Sequence, residues 1–216
     1  MAYVVDHVFV MCSVGAPEAE GLVRAGLLEG ASNTHPGQGT ASRRFFFDGV
    51  YLELVWVSDA DEARREPARS TRLWERWAKR DAGACPFGLV FRDAAGSAAP
   101  PFPTWSYEPA YSPVAIDVAT ATLLREPELF YFRFPRPPGA LSSQPTAHAL
   151  PLRKLTALRV GIPGTAPRSE GVRAAEATGL VTFLAADAYL MTLGFDGETQ
   201  GRSSDLRPDL AIVLGW

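Results

Sequence analysis

Two side chains stand out for the chemistry they could do together, His7 and Glu53. Each sits inside a run of apolar, β-branched and aromatic residues. His7 lies in Val4-Val5-Asp6-His7-Val8-Phe9-Val10-Met11, and Glu53 in Val50-Tyr51-Leu52-Glu53-Leu54-Val55-Trp56-Val57. Burying an unpaired carboxylate is costly, so a Glu in such a run finds a partner or changes its protonation. That makes Glu53 a candidate general base, with His7 as its acid–base partner. Two plainer readings stand beside it. One is a buried His hydrogen-bonded to a Glu on a neighbouring strand, which satisfies both groups. The other is a salt bridge from Glu53 to Arg43 or Arg44. Imidazole and carboxylate also suit a divalent metal such as Zn, Mn, Fe or Ni, but a metal needs at least a third ligand. His35 and His148 lie in loop-like sequence, and no spacing ties them to such a site.

Arg43 and Arg44 are adjacent in a strand-like run, so alternation sends them to opposite faces. One is expected to reach the ligand cavity, where it can hold a carboxylate bidentately; the sequence does not say which. The stretch His35-Pro36-Gly37-Gln38-Gly39 reads either as a lip over a ligand or as a turn-rich loop. Its Gly-x-Gly precedes a strand, so it is not a nucleotide-binding fingerprint. Trp105 and Tyr107, in a proline-rich extended run, are candidate ligand contacts, with packing as the alternative.

The elements that must position these residues follow from periodicity. Residues 3–12 alternate as a strand, with Val5, His7, Phe9 and Met11 on one face and Val4, Asp6, Val8 and Val10 on the other. A helix is predicted over 17–27, a loop over 31–39, and a hairpin of 39–47 and 50–57 joined by Asp48-Gly49. The pattern strand, helix, strand, strand, strand returns over 155–162, 169–180, 181–185, 189–195 and 206–216. In both copies the helix ends in Gly-Leu, a strand runs into Phe-Asp-Gly, and the last strand holds a Trp. Such an internal repeat predicts two βαβββ modules, over 1–60 and 151–216. Between them, 61–80 reads as an amphipathic helix, and the less regular middle offers strand candidates at 87–92, 114–118 and 129–132. The three segments are expected to form one compact domain.

Composition excludes several classes. With 47% hydrophobic and 21% charged residues the chain reads as an ordinary globular protein. A net charge of −3 gives no reason to expect nucleic acid or an anionic membrane as a partner. No apolar run reaches the roughly 18 residues of a transmembrane helix, and the start lacks the basic and apolar regions of a signal peptide. Cys12 and Cys85 form no metal or redox motif. A cytoplasmic location is the default expectation.

The motifs Asp6-His7, His35-Pro36-Gly37-Gln38-Gly39-Thr40, Arg43-Arg44-Phe45-Phe46-Phe47 and Tyr51-Leu52-Glu53-Leu54-Val55-Trp56 resemble the glyoxalase-like branch of the vicinal oxygen chelate superfamily. Glyoxalase I, extradiol dioxygenases and bleomycin resistance proteins belong to that superfamily. The Trp105-x-Tyr107-x-Pro109 element and the run 206–210 share the likeness, which is weaker over 61–150. The resemblance implies an α+β fold, with two βαβββ modules forming a curved mixed sheet and an inserted middle segment extending or covering its cup. It implies metal ligands on the first and last strands of each module, which are His7 and Glu53 in the first. Aligning the repeat sets Ala157 against His7, and Ala211 or Ile212 against Glu53, so the second module supplies no ligand. The expected cofactor is therefore none, or one divalent metal. The expected function is a glyoxalase-like small-molecule enzyme, a lyase/isomerase or hydrolase, using His7 and Glu53. Its rival is a non-catalytic binding protein of the bleomycin-resistance type. A small-molecule ligand is the expected partner, with a homodimer as a possibility.

Overall fold

The computed structural model describes residues 2–96 and 98–216. Its strands fall into two sheets. The first opens with β1 (Tyr3–Met11), α1 (Ala19–Arg24), β2 (Asn33–His35), β3 (Thr40–Phe46) and β4 (Tyr51–Val57). After three short helical pieces it continues with β5 (Phe87–Asp93), β6 (Thr104–Tyr107), β7 (Ile116–Ala119) and β8 (Glu128–Phe132). The spatial order is β2-β3-β4-β1-β5-β8-β7-β6. The centre is the antiparallel pair β1/β5, and each half holds one parallel pair, β1/β4 and β5/β8. The expected α+β class and the curved mixed sheet are therefore present.

The source of the second half departs from the repeat. It comes from 87–132, not from 151–216. Among the described residues between β5 and β6 there is no helix, so the segment escaped a search for strand–helix–strand order. Residues 151–216 form a sheet of their own from β9 (Leu155–Pro163), α4 (Glu170–Ala177), β10 (Thr182–Ala186), β11 (Leu190–Phe195), β12 (Ser203–Asp205) and β13 (Ile212–Gly215). Its order is β10-β9-β11-β13-β12. Here β10 lies parallel beside β9, whereas β2 sits at the far edge from β1. The two stretches share an order of elements but not a topology.

The sheets are held together by one apolar core. Val8, Val10, Leu52, Leu54, Leu89 and Phe91, from the back of the first sheet, cluster with Val160, Met191, Leu193, Phe195, Ile212 and Leu214 of the second. The opposite face of the first sheet is left to form a cup, lined by a second cluster that includes Phe9, Val55, Val90, Ile116 and Phe130. Gly88 keeps this surface tight. A Cβ there would stand 1.9 Å from the Phe9 ring, so only glycine lets that ring lie across β5.

The amphipathic stretch 61–80 is not one helix. It is α2 (Ala60–Ala63), a 3-10 turn (Ala68–Thr71) and α3 (Leu73–Ala78). Pro67 has no backbone N–H to donate, and Arg72 adopts a left-handed conformation with φ 57°. Asp59 caps α2 by accepting from the Asp61 and Glu62 backbone N–H groups. α3 lies against the β7–β8 side of the cup through Arg76, which is fully buried. Its guanidinium donates to the Cys85, Leu124 and Glu126 carbonyls and to Glu128 Oε2 at 2.9 Å. Among the described residues no helix is long and apolar enough to cross a membrane.

Candidate active site

His7 enters the cup through an irregularity in β1. The β1/β5 register shifts between Val5 and His7. Val5 and Val8 both pack toward the back core, so Asp6 and His7 share the cup side. Strict alternation had placed them on opposite faces. A bulge of this kind re-aims a side chain at the expense of one ladder position. As a result Asp6 Oδ1 accepts from His7 Nδ1 at 2.7 Å. Asp6 is 2% exposed and also takes Arg92 Nε and, at 2.7 Å, Arg136 Nη2. Burial alone would raise the Asp6 carboxyl. The His7 hydrogen bond and the Arg136 and Arg92 charges outweigh it, holding the group well below the ordinary carboxylate range.

A depressed carboxyl gives stability that is full above its unfolded value of about 4 and is lost as the pH falls toward the folded value. Asp6→Asn is therefore expected to lower stability at pH 7 by about 2 kcal/mol, the scale of hydrogen bonds to charged groups. It should also flatten the acid limb. Urea titrations of both proteins from pH 7 to pH 2 measure it, and an unchanged acid limb would show that Asp6 does not drive it.

Glu53 comes from the middle of β4, which pairs with β3 on one side and β1 on the other. It is 5% exposed. Ser42 donates its hydroxyl to Glu53 Oε1 at 2.6 Å. Glu53 Oε2 stands 3.6 Å from His7 Nε2, too far for a hydrogen bond. The other face of the His7 ring stacks on Tyr51, with centroids 4.3 Å apart and planes 11° from parallel. Thus the imidazole is fixed by a carboxylate and a ring, and its Nε2 is left toward Glu53 and the cup.

His35 was expected in a loop. The structure makes Asn33–His35 a strand in register with β3, His35 opposite Thr40. The hairpin between them turns on Gly39, at φ 70°, where a Cβ would meet the Asp59 carbonyl at 2.2 Å. His35 Nε2 lies 3.9 Å from Glu53 Oε1. Both ring nitrogens are engaged: Asn33 Nδ2 donates to Nε2 at 3.0 Å, and Nδ1 donates to Thr40 Oγ1 at 2.9 Å. Burial lowers the imidazole pKa, aided by the His7 and Arg44 charges and opposed by Glu53. This network continues through Gln38, which donates to Thr40 Oγ1 and accepts from the Tyr111 hydroxyl. Tyr111 thereby ties the loop before β7 to the β2–β3 hairpin across the mouth.

These groups surround a cavity of about 170 Å³. One side is polar, with His7, Glu53, His35, Asn33 and Gln38. The other is apolar, with Phe9, Val90, Ile116, Phe130, Phe132 and Leu73 of α3. The strands that answer β1 and β4 in the second half are β5 and β8, so Val90 and Phe130 stand where further ligating groups would be needed. The residues fit a metal poorly. Among the described residues no group of three or more His, Cys, Asp and Glu side chains could hold one, and His35 is already occupied. His7 and Glu53 do meet, as the motif implied, without a third ligand.

The other expected contacts are placed differently. Arg44 is opposite Glu53 in the β3/β4 register and so lies on the cup side, but its guanidinium donates to the Ala31 and Ser32 carbonyls and covers Phe46 and Tyr51. Arg43 faces away and pairs with Glu29 and Glu20. Neither lines the cavity, and neither bridges to Glu53. Trp105 and Tyr107 are on the edge strand β6, in the apolar cluster behind the lining. Burial pushes the Tyr107 phenol up to about 12. Asp6 and Ser42 were missed as partners of the pair, and Gln38 and Tyr111 as members of the network that holds His35. Only Asp6 carried a local signal, its adjacency to His7, and the bulge that makes it count has none.

Residues 5–100 match the family model described as a glyoxalase-like domain. No curated protein matches the chain. Among solved structures, a hypothetical protein from Staphylococcus aureus aligns over 98% of both chains with a TM-score of 0.56 and 8% identity, a likeness of fold alone. A xylose isomerase-like TIM barrel/4-hydroxyphenylpyruvate dioxygenase fusion protein aligns over 93% of this chain and 38% of its own, with a TM-score of 0.46 and 10% identity. The matched segment runs from the His7 strand through β5 and carries the whole polar side of the cup, so it is over this part of the chain that the similarity to a glyoxalase-like domain holds.

Proposed function

We propose that the cup is the active site of a glyoxalase-like small-molecule enzyme that moves a proton next to a carbonyl. The observation that carries this is the His7–Glu53 pair: two buried acid–base groups 3.6 Å apart at the cavity, with the far side of His7 held by Asp6. Glu53 takes the proton from the carbon beside the carbonyl, and the electron pair of the broken C–H bond moves into the C–C–O unit. His7, whose Nδ1 proton is held by Asp6, takes that proton from Glu53 onto Nε2 and passes it to the oxygen where charge builds, while Asp6 stabilises the transient imidazolium. Return of the proton to the neighbouring carbon gives an isomerisation, and loss of a leaving group from the next carbon gives an elimination.

Small α-hydroxy ketones and α-hydroxy aldehydes incubated with the protein in heavy water test this by proton NMR. Exchange of the α-proton faster than in buffer is expected for at least one of them. Binding of such a compound with no exchange above buffer sinks the catalytic reading and favours sequestration, which the apolar side of the cavity supports.

A further inference from the structure

Resting on the cup as the ligand site, and extending that reading to the ligand itself, we infer that the cavity selects an uncharged, one-ring molecule whose polar group donates hydrogen bonds, and that it rejects carboxylates. Size comes first. A dry cavity of about 150 Å³ takes one benzene, and this one measures about 170 Å³. Shape and chemistry agree. Phe9, Phe130 and Phe132 form the apolar wall, facing the polar groups across the cavity.

Charge then decides the head group. Glu53 is the one Asp, Glu, Lys or Arg among the described lining residues. The nearby cations are committed elsewhere. Arg92 and Arg136 are paired with Asp6, and Arg44 donates to two backbone carbonyls. A ligand carboxylate would thus be set against Glu53 with no lining guanidinium to offset it. The expectation that an arginine holds an anionic group is reversed.

The hydrogen-bond inventory fixes the rest. Asn33, His35, Thr40, Gln38 and Tyr111 are joined to one another in one chain of hydrogen bonds. His7 Nε2 and Glu53 Oε2 make no hydrogen bond within the protein among the described residues. With the His7 Nδ1 proton held by Asp6, Nε2 is an acceptor, as is Glu53 Oε2, so the two N–H groups of a primary amide answer both at once and a hydroxyl answers one of them. A carboxylate can only accept, and leaves Glu53 facing a like charge.

Benzamide and benzoate have the same shape and differ in charge and donor capacity, so they separate the terms. Calorimetric titration of the purified protein at pH 7 with benzamide, phenol, toluene and benzoate is expected to show benzamide and phenol binding at least tenfold tighter than benzoate, with toluene weaker than phenol. In Glu53→Gln, which removes the charge and adds a donor, the preference for benzamide over benzoate should fall below threefold. Benzoate within threefold of benzamide in the unaltered protein overturns the inference, as does a preference that survives Glu53→Gln, or binding of none of the four at millimolar concentration. The proton-transfer reading fails separately, by the absence of isotope exchange, whichever probes bind.

Discussion

Glu53→Gln is expected to slow α-proton exchange by about 10²–10⁴-fold, the usual contribution of a positioned general base. The carboxamide keeps the shape of the side chain and can still accept the Ser42 hydroxyl bond, so the pocket survives while its base is lost. The loss should appear in kcat, with KM for an uncharged substrate changing little, because the proton leaves only in the transition state. Stability should not fall, since a neutral isostere removes a buried carboxylate whose nearest imidazole nitrogen is 3.6 Å away. Thermal unfolding of the variant gives the control. A variant that unfolds like the parent and keeps more than a tenth of its exchange rate would remove Glu53 from the mechanism.

Arg76→Met is expected to destabilise the chain by about 3–5 kcal/mol, the range for breaking one side of a buried ion pair. Arg76 is 0% exposed, and four acceptors depend on it. Three are backbone carbonyls in the segments that lead into β5 and β8. The fourth, Glu128, is also fully buried, and would keep only Arg72 and Thr122. At this chain length such a loss lowers Tm by about 10 °C. Urea unfolding monitored by tryptophan fluorescence would measure it. A change below about 1 kcal/mol would show that water replaces the guanidinium at these acceptors. Replacing Glu128 by Gln in the same chain should recover part of the loss, because the carboxylate is then gone as well.

The local facts were legible in the sequence. Alternation gave the strands around His7 and Glu53, and Asp48-Gly49 gave the hairpin that sets β3 against β4. Each depends on neighbours a few residues away, which sequence periodicity records. The short strand Asn33–His35 was not legible, because three polar residues carry no period and become a strand only by pairing with β3. The broken helix over 61–80 was masked for a related reason: its charges and tryptophans keep a helical spacing across Pro67.

Partner choice belongs to tertiary structure. The repeat of strand–helix–strand order was real as a sequence pattern, yet β1 and β4 are completed by β5 and β8, which lack that pattern. An order of elements does not encode which edges join; that depends on which apolar faces must be covered once all the strands exist. The same holds at the site. The sequence by itself determined that a His and a Glu sit in apolar strands of a glyoxalase-like module, because residue type and alternation are local. Only the tertiary structure decided that Asp6 turns with His7, that His35 joins them, and that Arg43 and Arg44 do not. A one-residue bulge and the pairing of distant strands set those directions, and neither leaves a mark in residue type or spacing.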